Sequence, residues 1–232
     1  MRFFLDSANP TTIKDTLAVL PLDGVTTNPT IIARDMPDYM SLGAELKLIR
    51  ELCGERLVFA QVTSEDADGM ISDAHEIVRA VGGRVSIKLP AIPSGFTAAM
   101  KLADEGISVT VTAVYTTSQA ILAAKCGADY VAPYISHIDN LSLDGPAVAV
   151  QMSDMLKLHG FGTTVLAASF RTAAQVERVI AGGVGAVTVT ADMLGLLMEH
   201  PGTRNEVDKF NESWHKRFDK PICEMLTVNA SI

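Results

Sequence analysis

The chain has 232 residues and a formal net charge of −8. Hydrophobic residues make up 48% and charged residues 20%, which excludes a disordered chain and predicts a single well-buried domain. The acidic balance, with a pI near 5.1 and no basic patch, excludes an extended nucleic-acid partner but leaves room for a small anion held by a few local donors.

Short β-branched runs at residues 3–6, 24–27, 57–62, 84–89, 108–114, 130–133, 164–169 and 186–190 predict strands. Helical patterns with start and stop signals lie between them. Asn9-Pro10 offers an N-cap followed by proline. Ser64-Glu65-Asp66 precedes a helix over 67–81. Ser94 precedes one over 95–104 and Thr116 one over 117–126. A helix over 172–181 stops at Gly182-Gly183, and further helices are expected over 191–199 and 203–218. Strands alternating with helices predict parallel βαβ units, and about eight at this length fit a single (β/α)8 barrel. A doubly wound open sheet is the rival, weakened by the lack of a Gly-rich fingerprint after any strand. The expected organisation is a barrel with a C-terminal helix over 1–218 and an extension without clear periodicity over 219–232.

Cys53, Cys126 and Cys223 show no C-x-x-C spacing, which argues against a disulfide framework or a zinc site and fits a reducing compartment. The opening M-R-F-F-L-D reaches an aspartate too soon for a signal peptide. No apolar run approaches the ~18–20 residues of a membrane span. The expectation is a soluble cytoplasmic protein acting on small molecules, without nucleic-acid or membrane partners.

Lys88 is the anomaly. It lies in Val85-Ser86-Ile87-Lys88-Leu89-Pro90, whereas other lysines sit in polar, helix-like stretches. Burial disfavours the ammonium form, and a neutral amine is the nucleophile of Schiff-base chemistry. A strand-end lysine that snorkels back to water is the equal alternative. Strand parity bears on the choice, because side chains alternate across a strand. Val85, Ile87 and Leu89 share one face, and Ser86 and Lys88 the other. If the apolar face packs on helices, Lys88 points into the barrel. The same reading delivers polar residues near other strand ends: Asp6, Thr26 with Asn28, Gln61, Thr112, Tyr134 and Ser169. Barrel active sites are built at that end.

Each candidate also has a plainer reading. Asp6 suits proton transfer or support of an iminium, or else caps the loop before Asn9-Pro10. Tyr134 with Gln61 and Thr112 could hold a catalytic water, or be an aromatic core residue with a satisfied hydroxyl. Ser169 and Arg171 could surround an anion, or reflect ordinary capping by Ser169 or Thr172 with a surface arginine. His137 and Asp139 are spaced like a metal pair, but a lone H-x-D is weak. No metal or cofactor is expected.

Several segments together resemble the transaldolase family, and most of all its small fructose-6-phosphate aldolase subgroup. They are L-D-S-A-N-P at 5–10, G-V-T-T-N-P-T-I-I-A at 24–33, F-A-Q-V at 59–62, S-I-K-L-P at 86–90, T-A-V-Y at 112–115, Y-V-A-P-Y at 130–134 and L-A-A-S-F-R-T at 166–172. The resemblance implies a (β/α)8 barrel and a metal-free class I aldolase mechanism with Lys88 as the Schiff-base residue. It implies that Asp6 contacts the donor hydroxyl, that Thr26 and Asn28 orient a dihydroxyacetone unit, and that Gln61, Thr112 and Tyr134 hold a water. Ser169 and Arg171 match its sugar-phosphate site. Classical transaldolases resemble one another in having Glu and Phe where this chain has Gln61 and Tyr134, so the pair looks like the aldolase type. His137 stands where the family usually has arginine. An imidazole, charged only below roughly pH 6.5, is a weaker phosphate partner than a guanidinium. The resemblance also implies a homo-oligomer, a pentamer or decamer, with the helix over 203–218 packing on a neighbour.

Overall fold

The computed structural model describes residues 1–226. They fall into two compact units divided after Met193. The first is a closed barrel of eight parallel strands, each paired with the next in sequence and the last with the first. The strands are β1 (Arg2–Asp6), β2 (Gly24–Thr26), β3 (Leu57–Gln61), β4 (Val85–Pro90), β5 (Ser108–Val114), β6 (Tyr130–Pro133), β7 (Thr164–Ala167) and β8 (Ala186–Val189). The expected (β/α)8 architecture is what the chain adopts.

Helices α1 (Pro10–Val19), α2 (Pro29–Asp35), α3 (Leu42–Cys53), α4 (Ala67–Val81), α5 (Pro93–Asp104), α6 (Thr117–Lys125), α7 (Ile135–Asn140), α8 (Gly145–Leu158) and α9 (Ala173–Ala181) connect the strands. Their starts follow local chemistry. Asn9 accepts from the Thr12 N–H and Asn28 from the Ile31 N–H, each at 2.9 Å and each followed by proline. Thr116 with Gln119, and Thr172 with Gln175, close capping boxes. The start of α5 differs from expectation. Pro93 occupies the first turn and Ile92 the cap, while the Ser94 hydroxyl donates to the Glu65 carbonyl at 2.8 Å. A proline with φ already set for a helix outweighs the serine directly after it.

In the second unit, α11 (Pro201–His215) starts and stops earlier than expected. It follows α10 (Ala191–Met198), and the stretch after Lys220 holds a one-turn helix, α12 (Ile222–Met225). The Trp214 indole N–H donates to the Lys220 carbonyl at 2.9 Å, and its ring lies 4.5 Å from that of Phe218. The rest of the extension, 227–232, lies outside the described residues.

Parity reads as the sequence implies. Val58, Ala60, Val85, Ile87, Leu89, Val109 and Val111 are buried on the helix-facing side. Inside the barrel, Phe4, Leu57, Phe59, Tyr130, Leu166 and Ala186 form one apolar cluster. The Phe59 ring meets Phe4 and Tyr130 edge to face, with centroids 5.0 and 5.1 Å apart, the arrangement that ring quadrupoles favour. Arg2 caps this cluster from the N-terminal end, donating to the Tyr130 hydroxyl and to Thr164 Oγ1. The aromatic layer lies below Lys88, since Phe59 pairs with Ser86 and Gln61 with Lys88. Gly24 is required for closure: a Cβ there would lie 1.8 Å from the Leu57 carbonyl oxygen.

Candidate active site

The inner face of β4 carries Ser86 and, one layer higher, Lys88. Ser86 shares a hydrogen bond with Thr110 at 2.7 Å. Lys88 is 5% exposed, and its Nζ donates to the Thr27 carbonyl at 2.8 Å. Burial pulls its pKa below the ordinary lysine value, opposed by the Asp6 carboxylate. The head group does not snorkel, so the plainer reading of Lys88 is lost.

Asp6 ends β1. Its Oδ1 accepts from the Thr26 hydroxyl at 2.6 Å, and Thr26 Oγ1 lies 2.6 Å from Thr188 Oγ1. A hydroxyl has one proton, so with Thr26 donating to Asp6, Thr188 donates to Thr26. Burial raises the Asp6 pKa, while Lys88 and then the Thr26 hydrogen bond oppose the rise. The site thus pushes the amine and the carboxyl toward their neutral forms, which is what proton exchange at neutral pH needs. Asp6 does not cap α1; Asn9 does that.

Asn28 spends its side-chain oxygen on capping α2, and its amide nitrogen makes no hydrogen bond among the described residues. Gln61 ends β3 beside Lys88, with its side-chain oxygen buried and without a hydrogen-bond partner among the described residues. Across the barrel, Thr112 Oγ1 donates to the Tyr134 hydroxyl oxygen at 3.3 Å. The register between β5 and β6 slips after Thr112, and Ala113 there has φ 55°. Such a bulge re-aims the side chains beside it. Burial raises the Tyr134 pKa, so the phenol holds its proton.

The third group lies after β6 and β7. Ser169 has φ 61° and bonds through its hydroxyl to Ser136 Oγ and to His137 Nδ1, both at 3.0 Å. The His137 ring stands 5.4 Å from that of Tyr134. Ser169 is not a cap; Thr172 is. Arg171 is exposed and donates to Asn140 Oδ1 at 3.2 Å. Asp139 faces elsewhere, accepting from the Gly145 N–H at 2.6 Å and from the Gln175 amide at 2.5 Å, so H-x-D does not converge on one point.

Every candidate from the sequence therefore stands at the C-terminal end of the barrel. Direct contacts join Asp6 to Thr26, Thr112 to Tyr134, and Ser169 to His137, while Arg171 and Asn28 bond to neighbours outside the candidate set. The sequence reading missed Thr188, Ser136 and the Thr27 carbonyl. Thr188 shares the inward parity of Ala186 in β8, a signal of the kind that marked the others.

A family model described as "Transaldolase/Fructose-6-phosphate aldolase" matches residues 3–229. A probable fructose-6-phosphate aldolase of Streptococcus pneumoniae is 39% identical over 92% of this chain and 96% of its own. A probable transaldolase of Kosmotoga olearia is 38% identical over 93% and 97%, and one of Desulforapulum autotrophicum 34% over 95% and 100%. A solved chain described as "Native KDPGal structure" shares the fold, with a TM-score of 0.56 and 17% identity over 82% of each chain. With the barrel and its C-terminal site in place, these likenesses make the chain an enzyme of the transaldolase/fructose-6-phosphate aldolase family.

Proposed function

We propose that the chain is a class I aldolase that reversibly cleaves fructose 6-phosphate or a related ketose to dihydroxyacetone and an aldehyde such as glyceraldehyde 3-phosphate. The observation that carries this reading is the buried Lys88 amine, held by the Thr27 carbonyl on the inner face of the barrel and shifted toward its neutral form.

Neutral Lys88 adds to the ketose carbonyl, and the carbinolamine loses water to leave an iminium. The Asp6 carboxylate takes the proton of the C4 hydroxyl. The C3–C4 bond breaks, its electron pair moves to the iminium nitrogen, and the aldehyde departs. The enamine then gains a proton at C3, supplied by the Tyr134 phenol through a water held with Gln61 and Thr112. Water adds to the regenerated iminium, and dihydroxyacetone leaves with Lys88 restored. Thr26 and Asn28 orient the donor unit. Ser169, Arg171 and His137 receive the far end of the sugar.

The family includes transaldolases, in which the dihydroxyacetone unit passes to a second sugar aldehyde before hydrolysis. Gln61 and the hydroxyl of Tyr134 favour the lyase, because the phenol supplies the proton that releases the donor. The assay is fructose 6-phosphate cleavage with and without erythrose 4-phosphate. Acceptor-independent turnover, and a borohydride-trapped dihydroxyacetone adduct on Lys88, support the aldolase. Turnover that requires the acceptor makes it a transaldolase, and no adduct on Lys88 removes both.

We also propose a homo-oligomer, a pentamer or decamer. Helix α11 has no buried residue and exposes Phe210 and Val207. Light scattering tests this, and a monomer at micromolar concentration rejects it.

A further inference from the structure

Helix α2 begins behind Asn28 and ends at Asp35, so one short element links the loop after β2 to the turn after β1. Asp35 is outside the motifs that carry the family resemblance, yet its side chain is only 10% exposed. Its Oδ2 accepts from the Ala8 N–H at 3.1 Å and from the Ser7 hydroxyl at 3.4 Å. Ser7 Oγ accepts in turn from the Asn9 N–H at 3.1 Å, and the Ser7 N–H donates to the Thr26 carbonyl at 3.2 Å. The turn directly after Asp6 is therefore tied to β2 on one side and to α2 on the other. Arg34 grips the same carboxylate with two N–H groups, Nε to Oδ1 at 2.5 Å and Nη2 to Oδ2 at 2.9 Å. Adjacent helix residues do not ordinarily face each other, so this fork is held by what Asp35 binds rather than by helix geometry.

We propose that Asp35, with Arg34, is a positioning residue for Asp6: the pair fixes the turn that carries Asp6 and locks it to the helix headed by Asn28. This rests on the aldolase reading above. The reacting groups of such a site need near-contact alignment, and a misplacement of about 1 Å costs about 100-fold in rate. The pair also acts through charge. The groups facing the Asp6 carboxyl are Lys88 from β4, Arg34 and Asp35 from α2, and Tyr134 after β6. Arg34 favours the Asp6 carboxylate, and Asp35 opposes it.

The experiment uses the full chain and three variants, Asp35→Ala, Asp35→Asn and Arg34→Gln, in ketose cleavage across pH and in borohydride trapping with dihydroxyacetone. Asp35→Ala is expected to lower kcat about 10- to 100-fold, with KM changed far less. Asp35→Asn keeps an acceptor for the Ala8 N–H and is expected to recover most of kcat. Its acid limb of kcat/KM moves to lower pH, because a negative charge near Asp6 and Lys88 is gone. Arg34→Gln moves that limb to higher pH. The two signs hold whether Asp6 or Lys88 sets the limb, since one added or lost charge moves both groups the same way.

Rates that fall only with the folded fraction, with the limb unmoved in Asp35→Asn and Arg34→Gln, overturn the proposal. So does wild-type kcat in Asp35→Ala. The wild-type adduct separates this from the parent reading. If wild type forms none on Lys88, the aldolase assignment falls and takes the positioning role with it. If wild type forms it and the variants behave as wild type, only the positioning role falls.

Discussion

The Lys88 amine donates to the carbonyl of Thr27, one residue beyond the threonine whose hydroxyl serves Asp6. Two consecutive residues at the end of β2 therefore hold Asp6 and Lys88, one through its side chain and one through its backbone. A substitution at Thr27 cannot remove the carbonyl, so the Lys88 contact is insensitive to side-chain change there.

Replacing Lys88 by Met is expected to abolish turnover, by about 10^4-fold or more, and to remove the borohydride adduct. The fold should gain stability. The folded-state pKa of Lys88 lies below its unfolded value, so the unfolded chain binds the extra proton between the two. Stability of the wild type therefore falls as pH drops from the unfolded lysine value through the folded one. Met at this position has no proton to bind. Calorimetry should show a higher Tm for Lys88→Met near neutral pH, by about 2–4 °C for each kcal/mol gained.

Tyr134→Phe removes the phenol hydroxyl, the proton carrier of the proposed mechanism, and leaves the ring. Acceptor-independent cleavage is expected to drop about 100- to 1000-fold, the usual worth of one acid–base group. The Lys88 adduct should still form. With erythrose 4-phosphate added, turnover should recover in part, because the enamine is then consumed by an aldehyde instead of a proton. Paired assays with and without the acceptor read this directly.

His137→Arg puts a permanent cation beside Ser169. The KM for a phosphorylated aldehyde in the synthetic direction is expected to fall about 10-fold, a gain of about 1.4 kcal/mol. The KM for an unphosphorylated aldehyde should not change. Equal changes for both substrates place His137 outside the phosphate site.

Glu45 makes a separate prediction about stability. It is fully buried on α3, neither carboxyl oxygen has a hydrogen-bond partner among the described residues, and burial with the nearby Asp35 raises its pKa. A raised carboxyl pKa means that the folded chain holds the proton longer, so Glu45 destabilises the fold as pH rises through its folded value. Glu45→Leu should stabilise by about 1–3 kcal/mol at pH 8 and by less near pH 5. Denaturant midpoints at the two pH values check the sign.

The barrel was legible because period-two alternation survives even in four-residue strands, and because caps such as Asn9, Thr116 and Thr172 announce their helices locally. The same alternation located Lys88, Asp6, Gln61 and Thr112 on the inner face. Asp35 was not legible. It sits in Arg34-Asp35-Met36-Pro37-Asp38, which reads as a polar turn, and its partners Ser7 and Ala8 lie 28 and 27 residues away. Ser136 was hidden for a related reason: its partner Ser169 is 33 residues distant, and the left-handed backbone of Ser169 has no compositional mark. Side chains that act within their own strand or cap can be read from spacing, whereas those that staple two loops together need the closed barrel.

The interlocked rings of Phe4, Phe59 and Tyr130 also govern traffic. They fill the barrel interior one layer below Lys88, on the side away from the C-terminal ends of the strands, so a substrate reaches Lys88 from those ends. In an aldol cleavage the aldehyde is the half that is no longer bonded to the enzyme, and it must be first out. Dihydroxyacetone waits its turn behind it. Run toward synthesis, the queue reverses: the ketone half must board before the aldehyde, and an aldehyde that arrives early finds no enamine to meet.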